Sequence, residues 1–383
     1  MARVQRRWLP EIFTVVVLVL VAYGVLMTYS SSVRFAQDVF GNRLHFFYRE
    51  LLWVAIGLAG ALVCRSFHYQ RLQGLSWLLL FLATGLLVLV YVPGFGRTVN
   101  NATRWLAFGG LTIQPSEIAK YAIIVFVADR LARNRRHVDR FVRGVLVPLL
   151  VVLVPVALIT AEPDLGTPVL ILATVFIMLF VAGTRTRHLL LLGAAAIPAV
   201  VLLVLKYPYR VRRLFAFLRP DADPLGAGFQ INQSLIAVGS GRLKGLGLGN
   251  SVQKMHYLPE AHTDFVFAII GEELGFLGTA LLILLFLVFL YCIYRMSLQV
   301  KEMFGHLVIV GVMAMLGLQM VVNIAVVTAC LPTKGLALPF ISYGGSSLVM
   351  TLAACGLLLN IIDNQARLRG DFPRVRSSDS TIV

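Results

Sequence analysis

Ten apolar runs follow one another along this chain, at about residues 11–29, 46–63, 75–92, 114–131, 145–160, 166–182, 188–207, 264–294, 304–330 and 346–362. In hydrocarbon, a run of this length satisfies its backbone hydrogen bonds within one segment only as a helix. The repetition therefore predicts an all-α polytopic integral membrane protein of about ten transmembrane helices. Hydrophobic residues make up 58% of the 383 positions and charged ones 14%, which leaves no room for a large soluble domain. Mean hydropathy is +0.84, far above the soluble range. Runs five and six are the least distinct pair, parted only by Glu162-Pro-Asp-Leu-Gly-Thr167. Arg3, Arg6 and Arg7 ahead of the first run resemble the start of a signal peptide. That run is of spanning length and lacks a small-residue cleavage site, so an uncleaved first helix is expected.

The basic residues orient the bundle. If both termini are cytoplasmic, the inner connections hold nineteen Lys and Arg, and the short outer ones hold six: Arg34, Arg43, Arg49, Arg97, Arg104 and Lys334. This asymmetry favours ten spans with both ends inside. It also places one long extracytoplasmic loop, 208–263, between helices seven and eight. Residues 1–365 read as a single domain, and 366–383 as a basic, then Ser/Asp-rich cytoplasmic tail expected to be disordered. The net charge of +16 lies between apolar runs, which fits topology and anionic lipid and excludes a nucleic-acid footprint. Four isolated cysteines, Cys64, Cys292, Cys330 and Cys355, suggest neither a zinc site nor a disulfide framework.

The outer connections carry the chemistry. From Pro259 to Val266 the chain sets Glu260, His262, Thr263 and Asp264 against the start of the eighth run. Ionisable groups at a membrane edge are functional candidates. Thr263 or Asp264 as an N-cap, with acids favoured by the helix dipole, accounts for them equally well. On a helical wheel Glu272 lies roughly 80° from Asp264 and about 12 Å deeper, so it could extend a polar face; Glu273 falls near the opposite side and suits a structural contact. Gln114-Pro-Ser-Glu-Ile-Ala-Lys120 starts the fourth run, with Pro115 at the first turn and Glu117 and Lys120 spaced i,i+3 on one face. Gly228–Gly241 reads as a short amphipathic helix, and Asp221–Pro224 as a turn. The glycines from Gly239 to Gly249 lack the Gly-Lys-Ser/Thr ending and a preceding strand, so an ATP-binding loop is excluded. The last outer connection, Leu331–Ser347, carries Lys334, Ser342 and Ser346; its amides and hydroxyls suit an anion or a helix cap.

Four stretches carry a resemblance to a known family. They are Ala102-Thr-Arg-Trp105 with Gln114–Lys120; Pro163-Asp-Leu-Gly-Thr167; Gln233–Gly241 through Glu273; and Pro332-Thr-Lys-Gly335 through Pro339–Ser347. With the ten-span layout, roughly residues 10–365 resemble the SEDS family (shape, elongation, division and sporulation). Asn250–Lys254 and Tyr257–Phe265 are most similar to its cell-division members. Arg242, Asn101 and Ala329-Cys330 depart from the usual pattern without removing a charged motif residue. The resemblance implies a peptidoglycan glycosyltransferase that polymerises lipid II outside the bacterial cytoplasmic membrane, at the division septum. It implies as partners a class B penicillin-binding protein transpeptidase, other division proteins and the undecaprenyl-linked glycan strand. It also implies Asp264 as the essential acid and Trp105, Glu117 and Lys120 as cavity residues. No cofactor is implied and no metal site is indicated, although pyrophosphate chemistry admits a divalent cation.

Displacing undecaprenyl pyrophosphate from a sugar with inversion needs one base on the attacking hydroxyl and positive charge on the leaving group. Asp264 suits the base, and partial desolvation is expected because an exposed acid would be too weak a base. Lys120, Arg104, Arg210 and Arg213 are expected to neutralise pyrophosphate, with Glu117 orienting Lys120. Trp105 would offer an apolar platform or act as an interfacial anchor, and the arginines serve equally as headgroup contacts. His262 is expected to order the loop as a hydrogen-bond donor, and Glu260 to act as a helix-entry acid. Two other classes compete: a lipid flippase, which Glu272 would suit, and a non-catalytic division scaffold.

Overall fold

The computed structural model describes residues 2–99, 102–108, 111–219, 226, 228–255 and 257–368. In order these are helices α1 (Ala2–Phe40), α2 (His45–Ser66), α3 (Gln70–Gly74) and α4 (Ser76–Leu89); strands β1 (Gly96–Val99), β2 (Ala102–Phe108) and β3 (Leu111–Ile113); then α5 (Pro115–Arg133), α6 (Val147–Ala161), α7 (Gly166–Val181), α8 (Thr186–Leu205), α9 (Pro208–Leu218), α10 (Phe229–Ser240), α11 (Val266–Ser297), α12 (Met303–Val327) and α13 (Gly345–Leu368). Each of the ten apolar runs is a helix. Among the described residues, seven helices are long and apolar enough to cross a membrane, and α4 and α7 are shorter apolar helices. The tenth, α5, carries Glu117, Lys120, Asp129, Arg130 and Arg133. It is nevertheless buried almost continuously from Pro115 to Leu131, because α4, α7 and α12 pack around it. Charged groups are tolerated there because they face protein instead of lipid. α13 lies along α2, and α1 against α11. α8 is the peripheral helix, with Leu190, Ile197, Leu202 and Leu205 exposed.

Four expectations change. The first helix does not stop near residue 29: Ser30, Ser31 and Ser32 are buried, and the Ser31 hydroxyl donates back to the Met27 carbonyl at 2.7 Å, so a polar stretch continues the helix to Phe40. The chain is not wholly helical. Residues 96–113 form an antiparallel sheet in the order β1-β2-β3, pairing Arg97 with Trp105 and Leu106 with Ile113. These short strands were not legible in the sequence. The long connection contains α9 as well as the expected amphipathic helix, which is α10. α13 continues through residue 368; the rest of the tail, the Asp221–Pro224 turn and Asn101 lie outside the described residues.

α11 is broken in its second half-turn after Glu273. Gly275 sits at φ +65°, ψ −162°, and an added Cβ would meet the Gly245 nitrogen at 2.4 Å. The segment Arg242–Gly247 enters this gap. Leu246 N–H donates to the Glu272 carbonyl and Gly247 N–H to that of Glu273, both at 2.9 Å; Phe276 N–H returns a bond to the Arg242 carbonyl at 2.8 Å. Backbone groups freed by the break are thus paired by the long connection, as burial requires.

Candidate functional site

Asp264 stands immediately before the start of α11, where three separate segments are tied together. The expected N-cap is absent. Phe265 occupies the cap position without a side-chain bond, and the Thr263 hydroxyl donates to the Glu260 carboxylate at 2.8 Å. Because Asp264 precedes the helix, its carboxylate is not consumed by helix amides. Its backbone carbonyl accepts from Asn323 Nδ2 on α12 at 2.9 Å, and the same amide group donates to the Leu336 carbonyl at 2.7 Å. The Ser342 hydroxyl donates to the Thr263 carbonyl and accepts the Leu338 N–H at 2.7 Å, while Tyr343 N–H donates to the His262 carbonyl at 3.0 Å. Residues 257–265 are therefore stitched to 335–343 on both sides of the aspartate. Between them Gly335 backs onto the carboxylate: a Cβ there would lie 3.0 Å from Asp264 Oδ2. A side chain at 335 would press on the acid, so this is a place where close approach requires glycine.

Charges surround this carboxylate at longer range. Burial raises the Asp264 pKa to about 7, helped by the negative charges of Glu260 and Asp164 and opposed by Arg104 and Arg213. An acid in this state is half ionised near neutrality and is a competent base. Arg104, on β2, grips the turn between α6 and α7: its Nε donates to the Glu162 carbonyl and its Nη2 to that of Pro163, each at 2.8 Å. Asp164 in that turn caps α7, accepting from Thr167 N and Oγ1 at 3.2 and 2.8 Å. Lys334 is half-buried, and burial lowers its pKa while Asp164 opposes the shift. Arg213 projects from α9 and is exposed.

The structure thus brings together Asp264, Glu260, Arg104, Arg213 and Lys334. It uses the other expected residues differently. Arg210 is buried at the α8–α9 joint, 4.2 Å over the Tyr207 ring, with its N–H groups given to Tyr209 Oη and the Leu203 carbonyl at 2.8 and 2.9 Å. It holds two helices together, and its burial in that joint closes it off from a phosphate. Lys120 is 1% exposed and already paired, 2.9 Å from Glu117 and 3.1 Å from Gln319 Oε1. Its positive charge is therefore an internal strut against α12, one turn from Asn323. Ser342 and Ser346 are latches: Ser346 accepts from Gln114 N–H at 3.0 Å and donates to the Thr112 carbonyl, joining α13 to the sheet and α5. Trp105 is half-buried on β2, where alternation puts it on the strand face opposite Arg104. The His262 ring is ordered by packing, with centroids of Phe35 and Phe46 each at 5.2 Å, and burial lowers its pKa while Glu260 opposes the shift.

Glu272 does not extend a polar face. Its carboxylate accepts Val252 N–H at 2.9 Å and the Ser251 hydroxyl, and Glu273 beside it takes Lys254 Nζ at 2.7 Å and the Ser30 hydroxyl. The wheel angle was measured from Asp264, which is not in the helix, and α11 breaks just beyond. Four contributors were not named as site residues from the sequence: Glu162, Asp164, Asn323 and Gly335, although Asp164 and Gly335 lie within stretches that carry the family resemblance. Glu162 and Asp164 carried a usable signal, being carboxylates at the junction of two apolar runs. Among the described residues, no three His, Cys, Asp or Glu side chains converge as metal ligands.

A helical membrane bundle whose polar connections converge on one half-buried aspartate defines a narrow class, and the sequence matches one. The chain belongs to the FtsW/RodA/SpoVE family of cell cycle proteins, whose model matches residues 10–367. It is 42% identical to Stage V sporulation protein E of Bacillus subtilis over 353 residues, 92% of this chain and 96% of that one. It is 41% identical over 350 residues to the probable peptidoglycan glycosyltransferase FtsW of Trichlorobacter lovleyi, 91% of this chain and 92% of that one. Among solved structures, it matches a peptidoglycan synthase complex described as coordinating polymerization and crosslinking, at a TM-score of 0.76 and 31% identity over 92% of this chain and 97% of the other. The rod shape determining protein RodA of Thermus thermophilus gives a TM-score of 0.67 at 29% identity, covering 92% and 96%.

Proposed function

We propose that this chain is a peptidoglycan glycosyltransferase that polymerises lipid II at the outer face of the cytoplasmic membrane during division, with Asp264 as its general base. The observation that carries the reading is the Asp264 carboxylate itself, packed against Gly335, raised to about 7 and set among Arg104, Arg213 and Lys334. An Asp264 oxygen takes the proton from the 4-hydroxyl of the incoming GlcNAc as that oxygen bonds to the anomeric carbon of the chain-end MurNAc. The bond from that carbon to the pyrophosphate oxygen breaks with inversion, and its electron pair leaves on undecaprenyl pyrophosphate. Arg104, Arg213 and Lys334 offset the charge that develops there. A base of this kind contributes about 10²–10⁴-fold to rate.

The reading places both termini in the cytoplasm and the Asp264 end outside, as the charge asymmetry requires, and locates the chain at the septum of a bacterial inner membrane. A class B penicillin-binding protein transpeptidase is the partner, supported by the likeness to the peptidoglycan synthase complex. The flippase reading loses its main support because Glu272 is fully engaged by Ser251, Val252 and Gln253. The test is purified protein with its transpeptidase partner in liposomes carrying labelled lipid II. Polymer from the wild type and none from Asp264→Asn is expected; lipid translocation without polymer, or neither, would overturn the proposal in favour of a flippase or a scaffold.

A further inference from the structure

Glu162, at the end of α6, is the most isolated carboxyl near Asp264. It is 1% exposed, and among the described residues neither Oε1 nor Oε2 has a hydrogen-bond partner. A buried ionised carboxylate in that condition is costly unless something pairs it. The natural counter-ion is close by, yet it bonds elsewhere: Arg104 gives its Nε and Nη2 protons to the backbone carbonyls of Glu162 and Pro163. A guanidinium has five N–H groups, so among the described residues this grip leaves three uncommitted. A carboxylate would be the stronger acceptor, since charge-assisted bonds to Arg are roughly twice as strong as neutral ones. The backbone grip is therefore the arrangement that belongs with a neutral Glu162.

Of the other groups facing Glu162, Asp164 favours the same state. Asp164, in the same turn, adds negative charge, and the Tyr91 hydroxyl beyond α4 bonds across to the Leu158 carbonyl on α6. Asp164 in turn faces Lys334 and Asp264. Burial and Asp164 raise the Glu162 pKa to about 8, with Arg104 opposing.

We propose that Glu162 is a positioning residue for glycosyl transfer: its neutral carboxyl leaves Arg104 clamped to the Glu162–Pro163 backbone, with three N–H groups available to the departing diphosphate. Ionisation of Glu162 draws the guanidinium into a side-chain ion pair. That removes donors from the leaving group and positive charge from the surroundings of Asp264. The proposal rests on the glycosyltransferase reading. Glu162 is neutral below its pKa and ionised above it, so the effect appears on the alkaline side, whereas Asp264 must lose its proton and controls the acid side.

The test is kcat and KM for lipid II polymerisation from pH 6 to 9.5, for wild type, Glu162→Gln, Arg104→Lys and the double variant, each with the transpeptidase partner. Wild-type kcat is expected to fall above pH 8. Glu162→Gln lacks that fall, so at pH 9 its kcat exceeds the wild type's by about tenfold, because one unit above its pKa only about a tenth of Glu162 is neutral. The gain disappears on the Arg104→Lys background and appears in kcat, with KM little changed. An alkaline fall retained in Glu162→Gln would overturn the role, as would a tenfold loss of kcat at pH 7 or a gain independent of Arg104; a fall owed to Lys334 gives the first of these. Infrared spectroscopy reads protonation without turnover: at pH 7 the wild-type-minus-Glu162→Gln difference spectrum is expected to show a neutral carboxyl band, and a difference spectrum without one would also overturn the proposal. No polymer from the wild type would instead sink the glycosyltransferase reading itself.

Discussion

Two sets of carboxylates lie at the same end of this molecule and are treated in opposite ways. Glu272 and Glu273, two turns into α11, have every oxygen engaged: by Ser251, Val252 and Gln253 in one case, by Lys254, Ser251 and Ser30 in the other. Together they hold the long connection onto the break in α11. Asp264 and Glu162 are just as close to the packed core, yet Glu162 has no partner and Asp264 sits against the bare backbone of Gly335. Burial alone therefore does not mark function here. What separates the sets is satisfaction: paired acids hold the fold, and acids left short of partners have raised pKa values that suit proton transfer.

The comparison breaks most readily at Asp264. Asp264→Asn should take polymerisation below detection, a loss of at least about 10²–10⁴-fold in kcat, with the protein folded and bound to its partner. The contrasting substitution, Glu273→Ala, leaves the Lys254 charge buried and alone. It should reduce stability by about 3–5 kcal/mol, seen as a large drop in melting temperature in detergent, with activity falling only because the long connection is released. Adding Lys254→Met should recover part of that loss. Gly335→Ala sharpens the comparison further: its Cβ moves the Asp264 carboxylate by a few tenths of an ångström, so kcat should fall about tenfold while the melting temperature holds. Ser342→Ala should have the smallest effect on activity. It removes one bond to the Thr263 carbonyl and leaves the Leu338 N–H unpaired, about 1–3 kcal/mol of stability, with a few-fold loss of kcat.

Much of this was legible in the sequence. Ten apolar runs became ten helices because spacing and length decide the matter in hydrocarbon. Asp264 stood out as an acid beside an apolar run, but a helix cap explained it equally well, and only the family resemblance set it above Glu260. The misplaced residues share a cause. Arg210, Lys120, Ser342 and Ser346 are polar groups near the right end of the bundle, and a sequence shows that they are there without showing that another residue has already taken their hydrogen bonds. Glu272 was misjudged because a helical wheel assumes an unbroken helix, and Gly275 breaks this one. Gly335 was not singled out, since its closeness to Asp264 depends on two segments some seventy residues apart meeting in space.

The central claim is that Asp264 is kept at a cost to stability because the reaction needs it. Its folded pKa of about 7 lies above the unfolded value near 4. The folded state therefore holds the proton more tightly, and the wild type loses stability as pH rises from about 4 to 7. Asparagine cannot ionise and escapes that loss. Melting temperature and polymerisation measured on the same preparations of wild type and Asp264→Asn, at pH 5 and pH 8, test this directly. The account predicts that the variant gains stability relative to wild type between pH 5 and pH 8 while making no polymer at either. Polymer from the variant, or a melting temperature that falls at pH 8 as it should for Glu273→Ala, would contradict it.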